Sequence, residues 1–259
     1  MGDHSAIEWC DATYNPIRGM GPNRWMCRKI SPGCDHCYAS TLNRRFGGTE
    51  YSPTDSVIVR LDDTALNLPL SWKRPRRVFV CSMTDLFGEW VPIDWLERVF
   101  RVMASAPQHQ FQVLTKRPKR MAELVPKVYD RIWGYVEHAP LPNVWLGVSI
   151  ELDRFAWRAN YLRQAPAAVR FISAEPLLGP LPSLSLEGIN WLISGGESGI
   201  GHRSLEVDWV RDLRDRCTAN DVAFFHKQNG GRTHAAGGRL LDGRTWDEFP
   251  EPAREPVPA

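Results

Sequence analysis

Short apolar runs rich in β-branched and aromatic residues alternate with longer amphipathic stretches along this chain, and that rhythm restricts its fold more than any other feature. Val78–Cys81, Phe111–Leu114, Val144–Val148, Val169–Ile172, Ile189–Ile193 and Ala223–His226 read as strands. A weaker seventh lies near Ile7–Trp9. Between them, Ile93–Ala106 carries Trp95, Leu96, Val99, Phe100 and Met103 on one helical stripe. Further helices are expected from Pro118 to about Leu124, from about Asp153 to Gln164 and from Asp208 to Ala219. Strand–helix alternation of this kind predicts parallel units, and hence an α/β fold: a complete or partial (β/α) TIM-like barrel, with a doubly wound open sheet as the alternative. The 259 residues suit one such domain over 1–246. The proline-rich stretch 247–259 reads as a disordered tail.

The chemistry starts from Cys27, Cys34 and Cys37, with six residues in the first gap and two in the second. Three thiolates can hold three irons of a [4Fe–4S] cluster and leave the fourth iron open. The competing reading is a structural zinc site, which normally needs four ligands. His36 directly adjoins Cys37, so both cannot easily reach one ion. Six cysteines in this length are too few for a disulfide framework, and the polar start carries no signal peptide, so a cytoplasmic protein is expected. Cys10, Cys81 and Cys217 have no partner at ligand spacing and read as small buried residues. No apolar run is long enough to span a membrane. The net charge of +2 does not by itself argue for nucleic acid, but Arg44–Arg45, Lys73–Arg77 and Lys116–Arg120 are local basic clusters that could meet phosphate.

In parallel β/α folds the reactive groups gather where strands end. Here the strand ends run into Ser82–Asp85, Thr115–Arg117, Ser149–Glu151, Ser173–Pro176, Ser194–Ser198 and Lys227–Gln228. Serines and threonines at such places can serve only as helix caps, and Gly195–Gly196 only as a tight turn. Capping does not require the set Asp85, Lys116, Glu151, Glu175 and Glu197, and that set predicts a polar cofactor site at one mouth.

Ile7–Pro16, Ser31–Ala39, Phe111–Pro118, Ser173–Leu177 and Ser194–Gly199 together resemble the phage-associated three-cysteine protein family. That family resembles radical S-adenosylmethionine (SAM) enzymes, the spore photoproduct lyase group among them. The resemblance runs from about residue 5 to about 230. It implies a radical-SAM-type barrel whose N-terminal loop, about 10–40, ligates a [4Fe–4S] cluster through Cys27, Cys34 and Cys37. It further implies that SAM chelates the open iron and is cleaved reductively to a radical that takes hydrogen from a substrate. Lys116, Arg117, Ser149, Glu151, Glu175, Gly195, Gly196 and Glu197 are then the candidate SAM-binding residues. A ferredoxin or flavodoxin would donate the electron. By analogy with the lyase group, the substrate would be a nucleobase or nucleic-acid lesion, which suggests DNA repair. The first cysteine gap is longer than most radical SAM enzymes carry, and His36 stands where an aromatic is common. An iron–sulfur redox or accessory protein without SAM chemistry, and a zinc-stabilised nucleic-acid-binding module, are the other readings.

Overall fold

The computed structural model describes residues 5–21, 24–54, 56–134, 139–233 and 235–251. The elements, in order, are β1 (Ala12–Tyr14), β2 (Ile17–Gly19), α1 (Tyr38–Arg45), β3 (Val59–Leu61), α2 (Asp63–Ser71), β4 (Arg77–Val80), α3 (Ile93–Ala104), β5 (Gln110–Thr115), α4 (Pro118–Trp133), β6 (Val144–Ser149), α5 (Arg158–Gln164), β7 (Val169–Ala174), β8 (Trp191–Gly195), α6 (Val207–Ala219) and β9 (Ala223–Gln228). Seven strands form one parallel sheet in the order β1-β4-β5-β6-β7-β8-β9. The sheet curls into a half-barrel flanked by helices. Its strands follow one another without a reversal of order, so the switch point of a doubly wound sheet is missing and that alternative is set aside.

The two faces of the sheet divide the apolar residues. Val78 and Val80 of β4, Phe111 and Val113 of β5, and Val144, Leu146 and Val148 of β6 point to the helices and join one core with Leu96, Val99, Phe100, Val125 and Val128. The alternate residues Phe79, Trp145, Phe171, Trp191, Ile193 and Phe225 face inward with Trp9 and form an aromatic floor. Trp191 meets Trp145 and Phe171 at ring-centroid distances of 5.8 and 5.6 Å. Further toward the strand ends the inward positions turn polar, at Ser149, Ser173 and Lys227. The inner face is therefore dry at one end and polar at the other.

Several sequence expectations need correction. The first strand is Ala12–Tyr14, not Ile7–Trp9. Ile7 and Cys10 close a turn, and the Trp9 ring inserts into the floor against Phe79, 4.6 Å between centroids. Helix α4 runs well past Leu124 to Trp133 with Pro126 inside it, because Met121, Leu124, Val125, Val128 and Tyr129 continue the buried stripe. The Asp153–Gln164 stretch is split between a short turn at Asp153–Phe155 and α5. The antiparallel β2–β3 pair, α1 and α2 had no clear sequence signal. The start of the tail is docked rather than loose: the Trp191 indole N–H donates to the Glu248 carbonyl at 2.9 Å, and Phe249 packs on Trp191. The rest of that expectation, residues 252–259, lies outside the described residues.

Gly147 marks the tightest point of the floor. A Cβ there would stand 2.4 Å from the Phe171 ring. Gly147→Ala should cost about 1–3 kcal/mol through overpacking. Urea denaturation, read as a lower midpoint with an unchanged slope, checks it.

Candidate metal centre

Cys27, Cys34 and Cys37 are free thiols, and all three line one cavity at the polar end of the sheet. Local structure sets each one. Cys27 follows Met26, whose carbonyl accepts a 2.6 Å hydrogen bond from the Thr84 hydroxyl. Cys34 ends a short turn that begins at Pro32. Cys37 caps the start of α1, where the helix dipole favours a thiolate. Burial pushes the Cys27 thiol up to about 12 and raises Cys37 as well. Burial also works against ionisation of Cys34, but the Lys116 ammonium, with the Ile30 and Ser31 backbone and the Ser31 hydroxyl, holds it below the usual thiol value.

Among the described residues, no three His, Cys, Asp or Glu side chains close on a single metal ion. That is compatible with a cluster, in which each thiolate takes a different iron and the sulfurs stand further apart. His36 is engaged elsewhere, its Nδ1 lying 2.8 Å from Glu197 Oε2.

The acidic residues at the strand ends divide into two groups. Asp85, Glu151 and Glu197 are buried, and each meets an arginine. Asp85 accepts from Arg117 at 3.0 Å, from the Thr115 hydroxyl at 2.6 Å and from the Lys116 backbone N–H at 3.1 Å. Glu151 accepts from Arg158 at 2.9 Å. Glu197 accepts from the Arg203 backbone N–H and side-chain Nε, both at 2.9 Å, and from its terminal nitrogen at 2.5 Å. Arg203 also donates to the Pro32 carbonyl at 2.9 Å, which ties the cysteine loop to the end of β8. Burial opposes ionisation of Glu151, yet Lys116 and Arg158 hold its carboxyl below the ordinary range; Arg203 and His36 do the same for Glu197. The second group is Glu175, which faces the cavity. It pairs with Lys227 at 3.1 Å and accepts from the Trp9 indole at 3.3 Å and from Ser173 at 3.3 Å.

Of the candidate cofactor residues, Lys116, Ser149, Glu175, Gly196 and Glu197 line the cavity. Arg117, Glu151 and Gly195 do not. Arg117 is held by Asp85 and by Glu89 at 2.8 Å and lies over the Trp90 ring. Glu151 is fully buried beneath the loop. Gly195 lies against Glu175, where a Cβ would stand 2.9 Å from Oε1. Cys81 lines the cavity with a left-handed backbone, φ 55°. Cys10 and Cys217 are buried, Cys10 against the Ser5 hydroxyl and Cys217 in α6. Sequence reading missed Trp9 and Tyr38 on the cavity wall and Arg158 and Arg203 behind it. The signal for the arginines was present, since each follows its strand-end glutamate by six or seven residues.

The basic clusters also separate. Lys73–Arg77 leads into the first residue of β4 and Lys116–Arg120 follows β5, so in a parallel sheet they lie at opposite ends. Arg76 stacks on Trp72, and Arg77 is paired with Asp11.

A model of the family described as "Protein of unknown function (DUF5131)" matches residues 4–250. The chain belongs to this family. No curated protein and no solved structure matches it. The DUF5131 match takes in the cysteine loop, the whole half-barrel and the docked segment at Glu248–Phe249, so the cavity is built entirely from residues inside the family unit. Among the described residues no helix is long and apolar enough to cross a membrane.

Arg203 generates the test of this arrangement. Arg203→Ala removes two charged side-chain hydrogen bonds from Glu197 and releases Pro32, and should cost about 1.5–3 kcal/mol. Hydrogen exchange should rise at 31–37 more than in β5–β8, and a uniform rise would contradict the loop clamp.

Proposed function

We propose that this DUF5131 protein is an iron–sulfur enzyme of radical SAM type, with a [4Fe–4S] cluster on Cys27, Cys34 and Cys37 and SAM in the adjoining cavity. The observation that carries the reading is the convergence of the three closely spaced cysteines on one cavity at the polar end of a parallel half-barrel. Three thiolates suit the three irons of an open-site cluster, whereas a closed zinc site normally takes four ligands. When bound, such a cluster supplies one-electron chemistry and an open iron for a chelating ligand. The chain's own residues supply the rest. The floor around Trp9, Phe79 and Leu114 excludes water from the inner end of the cavity. Lys227, Glu175, Ser149 and Ser173 present both signs of charge and two hydroxyls, which suit a zwitterionic ligand with a sugar. A ferredoxin- or flavodoxin-like protein is the proposed electron donor.

The proposed substrate is a nucleobase or a nucleic-acid lesion. Support comes from exposed Lys119, which lies 5.6 Å from the centroid of exposed Trp157 and 5.5 Å from that of Tyr161. This group lies where α4 and α5 begin, at the same end of the sheet as the cavity. Cations interleaved with aromatics suit phosphate and stacked bases. Lys119→Glu should weaken binding of a single-stranded oligonucleotide more than Arg76→Glu, with strong salt dependence, by fluorescence anisotropy. Equal losses, or no binding at low salt, would favour a small-molecule substrate.

Anaerobic reconstitution tests the main reading. The protein should bind about four irons per chain and turn brown. Alanine at Cys27, Cys34 or Cys37 should abolish this, while Cys10→Ser and Cys217→Ser should keep it. Reduction in the presence of SAM should release methionine. Iron without SAM turnover would indicate a redox or accessory protein. Stoichiometric zinc after expression with ample iron would sink the cluster reading.

A further inference from the structure

We propose that Lys116 sets the reduction potential of the cluster by donating a charged hydrogen bond to Cys34, an inference that rests on the cluster reading above. The Lys116 ammonium lies 3.6 Å from Cys34 Sγ. It is one of several cations near the loop, but the others are spent on carboxylates. Arg117 is held by Asp85 and Glu89, Arg158 by Glu151, and Arg203 by Glu197. Among the described residues, the carboxylate contact of Lys116 is a loose one, 4.0 Å to Glu151 Oε1. That oxygen is buried, and Arg158 donates to the other oxygen of the same carboxylate.

The lysine is held so that it reaches the sulfur. Its backbone N–H donates to Asp85, and the preceding Thr115 hydroxyl donates to the same carboxylate. Gly33 leaves the room the side chain needs: a Cβ at that position would stand 2.9 Å from Lys116 Nζ and 3.3 Å from Glu151 Cδ. A side chain at position 33 would therefore have to push the ammonium aside. Lys116 is mostly buried, so its charge is weakly screened by solvent. A donor to a ligand sulfur, and a positive charge beside it, both favour the reduced cluster and raise its potential. The step affected is the gain of one electron from an external low-potential donor, and no bond is made or broken in it. Lys116 is therefore a positioning and tuning residue, which acts through Cys34.

The test is a redox titration of the reconstituted holoprotein, followed by electron paramagnetic resonance (EPR) at fixed pH with dithionite as reductant. Lys116→Met should keep the full iron content and shift the midpoint to a more negative value. Lys116→Arg should restore part of the shift. Gly33→Ala, which leaves the lysine in the sequence but displaces its ammonium, should move the midpoint in the same direction as Lys116→Met. An unchanged midpoint in Lys116→Met at full iron content would overturn the inference while leaving the cluster reading intact. Loss of iron in Lys116→Met and Gly33→Ala would also overturn it, by making the contact structural. A wild-type protein that binds no iron would instead remove the cluster reading itself, and the inference with it.

Discussion

Three buried carboxylates at strand ends, each facing its own arginine, are the constraint on which the rest of this molecule depends. Asp85 after β4, Glu151 after β6 and Glu197 after β8 take Arg117, Arg158 and Arg203. Leaving any of these charges unpaired away from water would be costly, so the arginines must come to them. Each arginine belongs to a different connecting segment. Arg117 begins the approach to α4, Arg158 starts α5, and Arg203 lies ahead of α6. The pairs therefore fix three loops on the rim of the half-barrel. The Arg203 bond to Pro32 then carries the fixation to the cysteine loop.

Beneath that rim the sheet separates dry from polar space. Inward-facing aromatics fill the end away from the cysteines, and Trp9 closes the gap near β1 with its own ring. Toward the strand ends the inward positions become Ser149, Ser173 and Lys227. A cavity floored in this way presents polar groups on its walls while its base excludes water, which is the condition under which fixed charges act strongly. The thiols stand at the polar end, with the Lys116 ammonium beside Cys34.

Much of the scaffold was legible in the sequence, because parallel strands are continuous apolar runs and the helices between them carry an unbroken stripe. The three cysteines stood out in the sequence by their spacing, and in the structure all three line the same cavity. The first strand was not. Ala12–Tyr14 is too short and too mixed to stand out, whereas Ile7–Trp9 is apolar because Trp9 serves the floor rather than a ladder. Helix α4 was read too short because Pro126 resembles a stop, and tertiary burial of Val125, Val128 and Tyr129 outweighs it. The polar rim was only half legible. Sequence placed Glu151, Glu197 and Arg117 at strand ends, but it could not show that Arg158 and Arg203 would turn back onto the glutamates. Each arginine follows its glutamate by only six or seven residues, but the turn that brings it back follows neither a helical nor a strand repeat.

The proposed cluster would leave its fourth iron open to a ligand in this cavity. EPR of the anaerobically reduced holoprotein, recorded with and without SAM, tests that most directly. The reduced protein should give the signal of a [4Fe–4S] centre whose g-values change when SAM is added, and which is lost in Cys34→Ala. A signal unaffected by saturating SAM would contradict the open-iron claim, and iron-free protein carrying zinc would contradict the cluster itself.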